Sequence, residues 1–266
     1  MSQFKNTMEI FQHLNKSNCR KCNEATCLAF AASVFQGKRQ LKECPDMDQG
    51  VIQQYFEQEF TGTTPGQDLE LAVAGLQKQI KQVDLLDAAK RLGGVCENGK
   101  LIFKIFGKDF GIDSQGKFYT DIHVHTWIAV PVLNYILQGE GLPLSGRWVP
   151  LRELPKGKDW YRLFGQRCEK PIKKVADTYT DFFDDMIHLF SGSQVERIHD
   201  SDISVVLHAL PKVPILICYW KPEDGLESDL HIFFDDTAES NLNIESLYSL
   251  GAGIALMFEK LSQRHG

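Results

Sequence analysis

The sequence predicts an α+β protein in two parts: a small N-terminal module organised by cysteines, then one α+β domain with antiparallel strands. Three observations predict it. Four of the seven cysteines, Cys19, Cys22, Cys27 and Cys44, fall in the first 44 residues at a C-x₂-C-x₄-C-x₁₆-C spacing. Stretches around 101–112 and between 203 and 234 alternate apolar and polar residues with a period of two. The segments around them repeat with a period near 3.6, the mark of amphipathic helices. The module with its following helix is assigned to residues 1–60 and the α+β domain to 67–266. The break between them is the turn-rich Thr61-Gly-Thr-Thr-Pro65-Gly66.

Within the module, Cys19 and Cys22 are near enough for one loop to bring both sulfurs to one metal centre. Thr26 reads as the N-cap of a helix from Cys27 to Gln36, stopped by Gly37. Cys27 then lies in the first turn, where unpaired N–H groups and the positive end of the dipole favour a thiolate. Such a helix carries the chain roughly 15 Å away. The segment 37–44, with a reach of roughly 25 Å, is long enough to return Cys44 to the other thiols. Disulfides are the weaker reading, because the cysteine count is odd and nothing marks the chain for export. Zinc sites of four cysteines usually use two C-x₂₋₄-C knuckles, whereas a final cysteine alone before proline, Cys44-Pro45, is a habit of iron–sulfur ligation. Spacing favours iron–sulfur over zinc without closing the choice. Cys96, Cys168 and Cys218 stand alone and read as core.

The residues Asn18-Cys-x-x-Cys-x-x-x-Thr26-Cys27-x-Ala29-Phe30-Ala31, with Cys44-Pro45, resemble the four-cysteine [4Fe–4S] module of the large subunit of corrinoid iron–sulfur proteins. Related modules occur in ion-pumping electron-transport complexes. The resemblance covers roughly residues 5 to 48. It implies a [4Fe–4S] cluster on Cys19, Cys22, Cys27 and Cys44, and a redox protein partner or corrinoid-type acceptor. The sequence departs from the family at Asn23, where glycine is usual, and Asn tolerates the left-handed turn that glycine would supply.

Charge is divided unevenly. Residues 1–50 hold seven of the 29 basic and five of the 35 acidic residues, which leaves 22 basic and 30 acidic in the remainder. The module is mildly basic, with Arg20, Lys21, Lys38, Arg39 and Lys42 near the thiols, where they either offset a negative cluster or line a solvated face. The acidic body argues against nucleic-acid binding. No run is long enough to span a bilayer and the N-terminus lacks an apolar leader core, so a cytoplasmic protein without membrane insertion is expected.

Taken in order, Ile52 to Phe60 reads as a short helix, followed by amphipathic helices over Asp68–Ile80 and Val83–Leu92, the second ended by Gly93-Gly94. Leu101 to Phe106 and Asp109 to Ile112 read as a hairpin about Gly107-Lys108, with a second turn over Asp113–Gly116 before Phe118. Trp127 to Leu137 reads as a helix containing Pro131. Residues 144–155 read as extended because of their prolines. A single helix is expected over Pro171–Phe190. Strands follow over Ile203–Leu210, Pro214–Trp220 and Leu230–Phe234, with Pro211 to Pro214 as the first turn. The chain closes in a helix over Ile244–Leu261, whose Gly251 and Gly253 are expected to pack on the sheet.

Three passages of the body, Ser145-Gly146-Arg147-Trp148, the Leu210 to Pro214 run and Phe234-Asp235-Asp236, are similar to a domain family of unassigned function. In anaerobic prokaryotes that domain often follows this cysteine module. The resemblance covers roughly residues 67 to 262 and implies no reaction. No nucleotide-binding, nucleophile-elbow or HExxH motif is present. His123 with His125 could pair on a metal if extended, but reads first as polar surface or a helix start. His199, Asp200 and Asp202 read as a turn, and Arg147 as a structural ion-pair partner. Two function classes follow: a one-cluster redox carrier, or a non-redox binding module whose cluster or zinc is structural. Whether the chain is an enzyme stays open.

Overall fold

The computed structural model describes residues 7–35, 39–48, 50–52, 65–223 and 225–265, with backbone alone for 65–69, 264 and 265. The chain divides into two compact units, Met1–Leu71 and Ala72–Gly266. The reading of 52–60 as a helix falls almost wholly outside the described residues, as do Gly37 and the start of the turn-rich break.

In the first unit, helices α1 (Thr7–Gln12) and α2 (Cys27–Phe35) bury Ile10, Leu14, Phe30, Ala31 and Val34 against each other, together with Leu41 and Met47. The i, i+4 spacing of Phe30 and Val34 puts that pair on one face of α2, and Leu14 joins Ile10 in the cluster from just past the end of α1. Thr26 caps α2 as the sequence predicts: its hydroxyl accepts from Ala29 N at 3.0 Å. The return to Cys44 is not plain coil, because a 3₁₀ turn over Leu41–Glu43 precedes it.

Helix α3 (Pro65–Ile80) runs across the division between the units; it begins earlier than expected and takes Pro65 and Gly66 into its first turn. Helix α4 (Leu85–Leu92) is capped by the Asp84 carboxylate, which accepts from Leu86 N and Asp87 N. It ends at Gly93, whose φ of 77° only glycine adopts without strain. The expected hairpin is β2 (Lys100–Ile105) with β3 (Lys108–Asp113), turning through Phe106 and Gly107, both at positive φ. Strand β4 (Phe118–Thr120) extends the meander on one side. On the other, β1 (Val95–Glu97) is an element the sequence reading missed, although the Asn98-Gly99 turn that joins it to β2 is a strong hairpin signal. The four strands form an antiparallel sheet in sequence order.

Helix α5 (Thr126–Gln138) contains Pro131, as expected. After β5 (Trp148–Pro150) the structure corrects the sequence reading. A helix α6 (Gly157–Phe164) and a π-helical turn over Gly165–Glu169 fill a stretch the sequence reading left unassigned, and the single helix expected over 171–190 is two, α7 (Lys170–Thr178) and α8 (Phe182–Leu189). The break comes at Tyr179, which turns extended while its hydroxyl donates to Asp185 Oδ2 at 2.6 Å.

The second sheet has the order β5-β9-β8-β7-β6, all antiparallel, from β6 (Ser193–Gln194), β7 (Ile203–Leu210), β8 (Val213–Trp220) and β9 (Asp229–Asp235). The turn between β7 and β8 is two residues, Pro211-Lys212, shorter than expected. Pro214 lies inside β8, next to a register shift between His208 and Leu210 that accommodates it. Ile217, Tyr219, Ile232 and Phe234 face the main core, while Leu216, Cys218 and Phe233 face a second apolar cluster on the opposite side. With both faces covered, β8 is buried along nearly its whole length. The short α9 (Ala238–Asn241) leads into α10 (Ile244–His265). Gly251 and Gly253 permit a close approach, but to helices and not to the sheet. A Cβ on Gly251 would stand 2.6 Å from the Phe164 ring and 3.2 Å from Cys168 Sγ, and one on Gly253 would stand 3.0 Å from Trp127 Cβ.

Tyr135 ties these layers together. It is fully buried, its hydroxyl donates to Leu92 O at 2.8 Å and accepts from Lys212 N at 3.2 Å, and burial pushes its pKa far above the ordinary phenol value. Tyr135→Phe would strand both backbone partners in an apolar setting. The expected cost is roughly 1–3 kcal/mol, read as a lower urea midpoint with an unchanged m-value.

Candidate metal centre

The loop that carries the thiols is shaped by residues in left-handed backbone conformations. Lys16, Asn18, Arg20 and Asn23 have φ of 58°, 51°, 61° and 59°. Asn23 adopts the conformation that glycine supplies in the resembling modules, and its N–H closes a turn onto Arg20 O at 3.0 Å. Alternation of this kind turns backbone N–H groups inward, the arrangement that forms anion-binding concavities at iron–sulfur sites.

Cys27 and Asn18 hold each other. Cys27 N donates to Asn18 Oδ1 at 2.8 Å, and Asn18 N donates to Cys27 Sγ at 3.3 Å. Cys27 and Cys44 are buried in the module's small core, Cys22 packs against it half-buried, and Cys19 is exposed. Burial pushes the Cys44 thiol up, the Asp46 N–H opposes that shift, and Cys22 and Cys19 are near enough to raise it further. Three of the sulfurs therefore feel one another. Cys19 Sγ donates to Asp46 Oδ2 at 3.6 Å, and the Asp46 carboxylate is held below its usual range by Asn15, which donates to it at 3.1 Å, and by Lys21 at 3.5 Å.

Among the described residues no three His, Cys, Asp or Glu side chains converge closely enough to hold a metal ion as they stand. The chemistry of the donor set nonetheless fits a thiolate-ligated group. Four thiols lie on one short loop and the adjoining turn, and backbone N–H groups point at the sulfurs of Cys27 and Cys44. Binding would draw the sulfurs together, since ligand ordering and metal affinity are coupled. Asn15, Asn18 and Asp46 support this loop. Of these the sequence reading marked only Asn18, and the signal for it was its place in the motif.

The basic residues are more committed than their sequence positions suggest. Arg39 donates to Glu43 at 2.8 Å and stands 3.7 Å from Glu24, bracing the loop against the 3₁₀ turn, and Lys21 is taken by Asp46. Lys38 lies outside the described residues.

In the second unit, the passages singled out by sequence meet in space. Asp235, 1% exposed, accepts from Ser145 N, Gly146 N, Thr237 N and Thr237 Oγ1 at 3.1, 2.8, 3.1 and 2.6 Å. Ser145 Oγ donates to Asp236 at 2.6 Å, and Arg147 stands 3.8 Å from the same carboxylate. The Leu210–Pro214 run is bound through Lys212, whose N–H reaches Tyr135, whose carbonyl accepts from Asn241 and whose ammonium reaches Gly141 O at 2.7 Å. These are latches that close long chain excursions. His123 and His125 are neighbours with ring centroids 6.4 Å apart; burial lowers the affinity of His125 for protons. His199 and Asp200 form a turn with positive φ, and Asp202 accepts from Lys221 N at 2.8 Å, as the polar-turn reading expects. Cys168 and Cys218 are fully buried, with thiols raised by that burial, as core cysteines should be.

Comparison with known families gives two matches. The model described as "Domain of unknown function (DUF3786)" matches residues 84–257, well over half of the chain. The chain belongs to the DUF3786 family. In this DUF3786 protein the domain is preceded by an iron–sulfur module, because the family model described as "Putative Fe-S cluster" matches residues 14–45, which contain all four thiols. Among curated proteins, the DUF3786 chain is 42% identical over 40 residues to the acetyl-CoA decarbonylase/synthase complex subunit gamma of Methanothermobacter thermautotrophicus, covering 15% of this chain and 9% of that one. It is 47% identical over 38 residues to the corrinoid/iron-sulfur protein large subunit of Moorella thermoacetica, covering 14% and 8%. The chain thus spans less than a tenth of the length of the curated relatives it matches. No solved structure matches it. No helix among the described residues is long and apolar enough to cross a membrane.

Proposed function

We propose that the protein carries a [4Fe–4S] cluster on Cys19, Cys22, Cys27 and Cys44 and exchanges electrons with a redox protein or a corrinoid-type acceptor. The observation that carries this reading is the gradient of burial across the four thiols. Cys19 is exposed and Cys22 half-buried, while Cys27 and Cys44 are enclosed. Electron exchange with an outside partner needs one side of the site near solvent, and retention of the group needs the other side held. When bound, such a cluster supplies one-electron chemistry whose potential is set by hydrogen bonds to sulfur and by nearby charge. Asn18 N on Cys27 and Asp46 N on Cys44 are the hydrogen bonds that would do this. The corrinoid part of the proposal rests on the named relatives, one of which is a corrinoid/iron-sulfur protein subunit.

A second reading is favoured by the packing of Cys27 and Cys44 among Phe30, Leu41 and Met47, which would let a cluster or a zinc ion simply hold the module folded. Charge reversal separates the two. Arg20→Glu with Lys21→Glu is expected to lower the midpoint potential and to slow reduction of an acidic partner roughly tenfold at low ionic strength, with the difference shrinking as salt is added. Stopped-flow oxidation of the reduced protein at two salt concentrations measures it. Equal rates for the two proteins would leave the structural role.

A further inference from the structure

Along its first half, β9 is paired on one side only: β5 covers Phe233–Asp235 and stops, so residues 229–232 form a sheet edge. A cleft of about 440 Å³ opens there, walled by a 3₁₀ turn over Leu151–Glu153 that interrupts the stretch expected to be extended, by α6, and by the π-helical turn and the start of α7. That volume falls in the range of about 300–1,000 Å³ typical of small-molecule sites. The π turn is itself suggestive, because single π turns inside helices are found preferentially at functional positions. Its Glu169 takes the edge N–H of Ile232 at 3.1 Å.

The charges of the cleft do not cancel. The two acids share one imidazole, Glu169 and Asp229 standing 3.4 and 3.3 Å from His231, whose proton affinity Glu169 raises. Lys173 is taken by Asp177 at 2.9 Å. That leaves Arg152, Arg162 and Lys170 with no carboxylate in salt-bridge range among the described residues. Both guanidinium groups act on Tyr161: Arg162 Nε donates to Tyr161 Oη at 3.2 Å, and Arg162, then Arg152, lower the pKa of that phenol. Three cations without an ion-pair partner thus line the cleft together with Leu151, Phe164 and Leu230, each nearly fully buried but bordering it, and the net charge is positive. Arginine forks suit the oxygens of a phosphate, whose charge of up to two answers the positive excess that remains once Glu169 and Asp229 are counted. The apolar lining and the volume call for an apolar body beyond the anion.

We infer that this cleft binds a small organic phosphate, a phosphate monoester on an apolar body, through Arg152, Arg162 and Lys170. The test is calorimetric titration of the full-length, anaerobically purified protein with 1-naphthyl phosphate, 1-naphthol and inorganic phosphate. Naphthyl phosphate is expected to bind saturably at one site per chain, with the other two at least tenfold weaker. The double variant Arg152→Ala, Arg162→Ala should weaken it at least tenfold while its thermal unfolding midpoint stays unchanged. Lys104→Ala, which removes a cation from the meander, should leave binding intact. Absence of saturable binding, or binding that the double variant retains, would overturn the inference. Inorganic phosphate binding as tightly as the ester would overturn its organic part and identify a site for the free anion.

Discussion

Protein purified without oxygen is expected to be brown, with about four irons and four sulfides per chain. Cys27→Ala should remove the colour almost completely, while Cys168→Ala should leave it. The contrast follows from where the two thiols sit. Cys27 opens α2, where helix N–H groups are unpaired, and it receives the Asn18 N–H on its sulfur. Cys168 lies in the π turn and is sealed against α10, with its thiol held protonated by burial. Loss of one ligand from a four-thiol site removes the group outright more often than it weakens it, so the expected change is a fall to background iron. Stoichiometric zinc with no iron after anaerobic expression would overturn the cluster assignment and leave the structural reading.

Asp235→Asn is expected to be the most damaging single change in the DUF3786 domain, costing on the order of 3–5 kcal/mol at neutral pH. Burial alone would raise the pKa of this carboxyl, but hydrogen bonds from the Thr237 hydroxyl and from Ser145, Thr237 and Gly146 N–H groups outweigh it and hold the pKa below the ordinary value. A depressed folded pKa means that the contribution is fully present above the unfolded value of about 3.9 and is lost as pH falls through the folded one. The gap between wild type and variant should therefore be constant from pH 8 to pH 5 and narrow below about pH 4. All four tryptophans, Trp127, Trp148, Trp160 and Trp220, lie in the second unit, so their fluorescence during denaturation reports this domain selectively. A gap that persists unchanged at pH 3 would show that the charge of Asp235 is not what stabilises the latch.

Much of the fold was legible because it is local. The Thr26 cap, the Gly93 stop and the β2–β3 hairpin each depend on a few adjacent residues whose conformational preferences agree with the fold. The errors arose where tertiary contacts overrode those preferences. Residues 157–169 carried no assignment in the sequence, and Gly157 lies where a Cβ would strike Leu151 O, so glycine there serves close packing at a helix start. The helix expected over 171–190 breaks at Tyr179 because that hydroxyl finds Asp185. Nothing in the local sequence encodes the meeting of Gly251 with Phe164 and Cys168.

The sequence by itself determined that the protein has an α+β body behind a four-thiol module, since spacing and hydrophobic period are properties of neighbouring residues. It also pointed to Ser145–Trp148 and Phe234–Asp236 without a reason for them. Only the tertiary structure decided that these passages are one latch, because a carboxylate satisfies N–H groups 90 residues away only once the sheet has brought them together. The same holds for the cleft. Arg152, Arg162 and Lys170 are ordinary surface charges in the sequence, and they become a site only because β5 ends early and leaves the edge of β9 open beneath them.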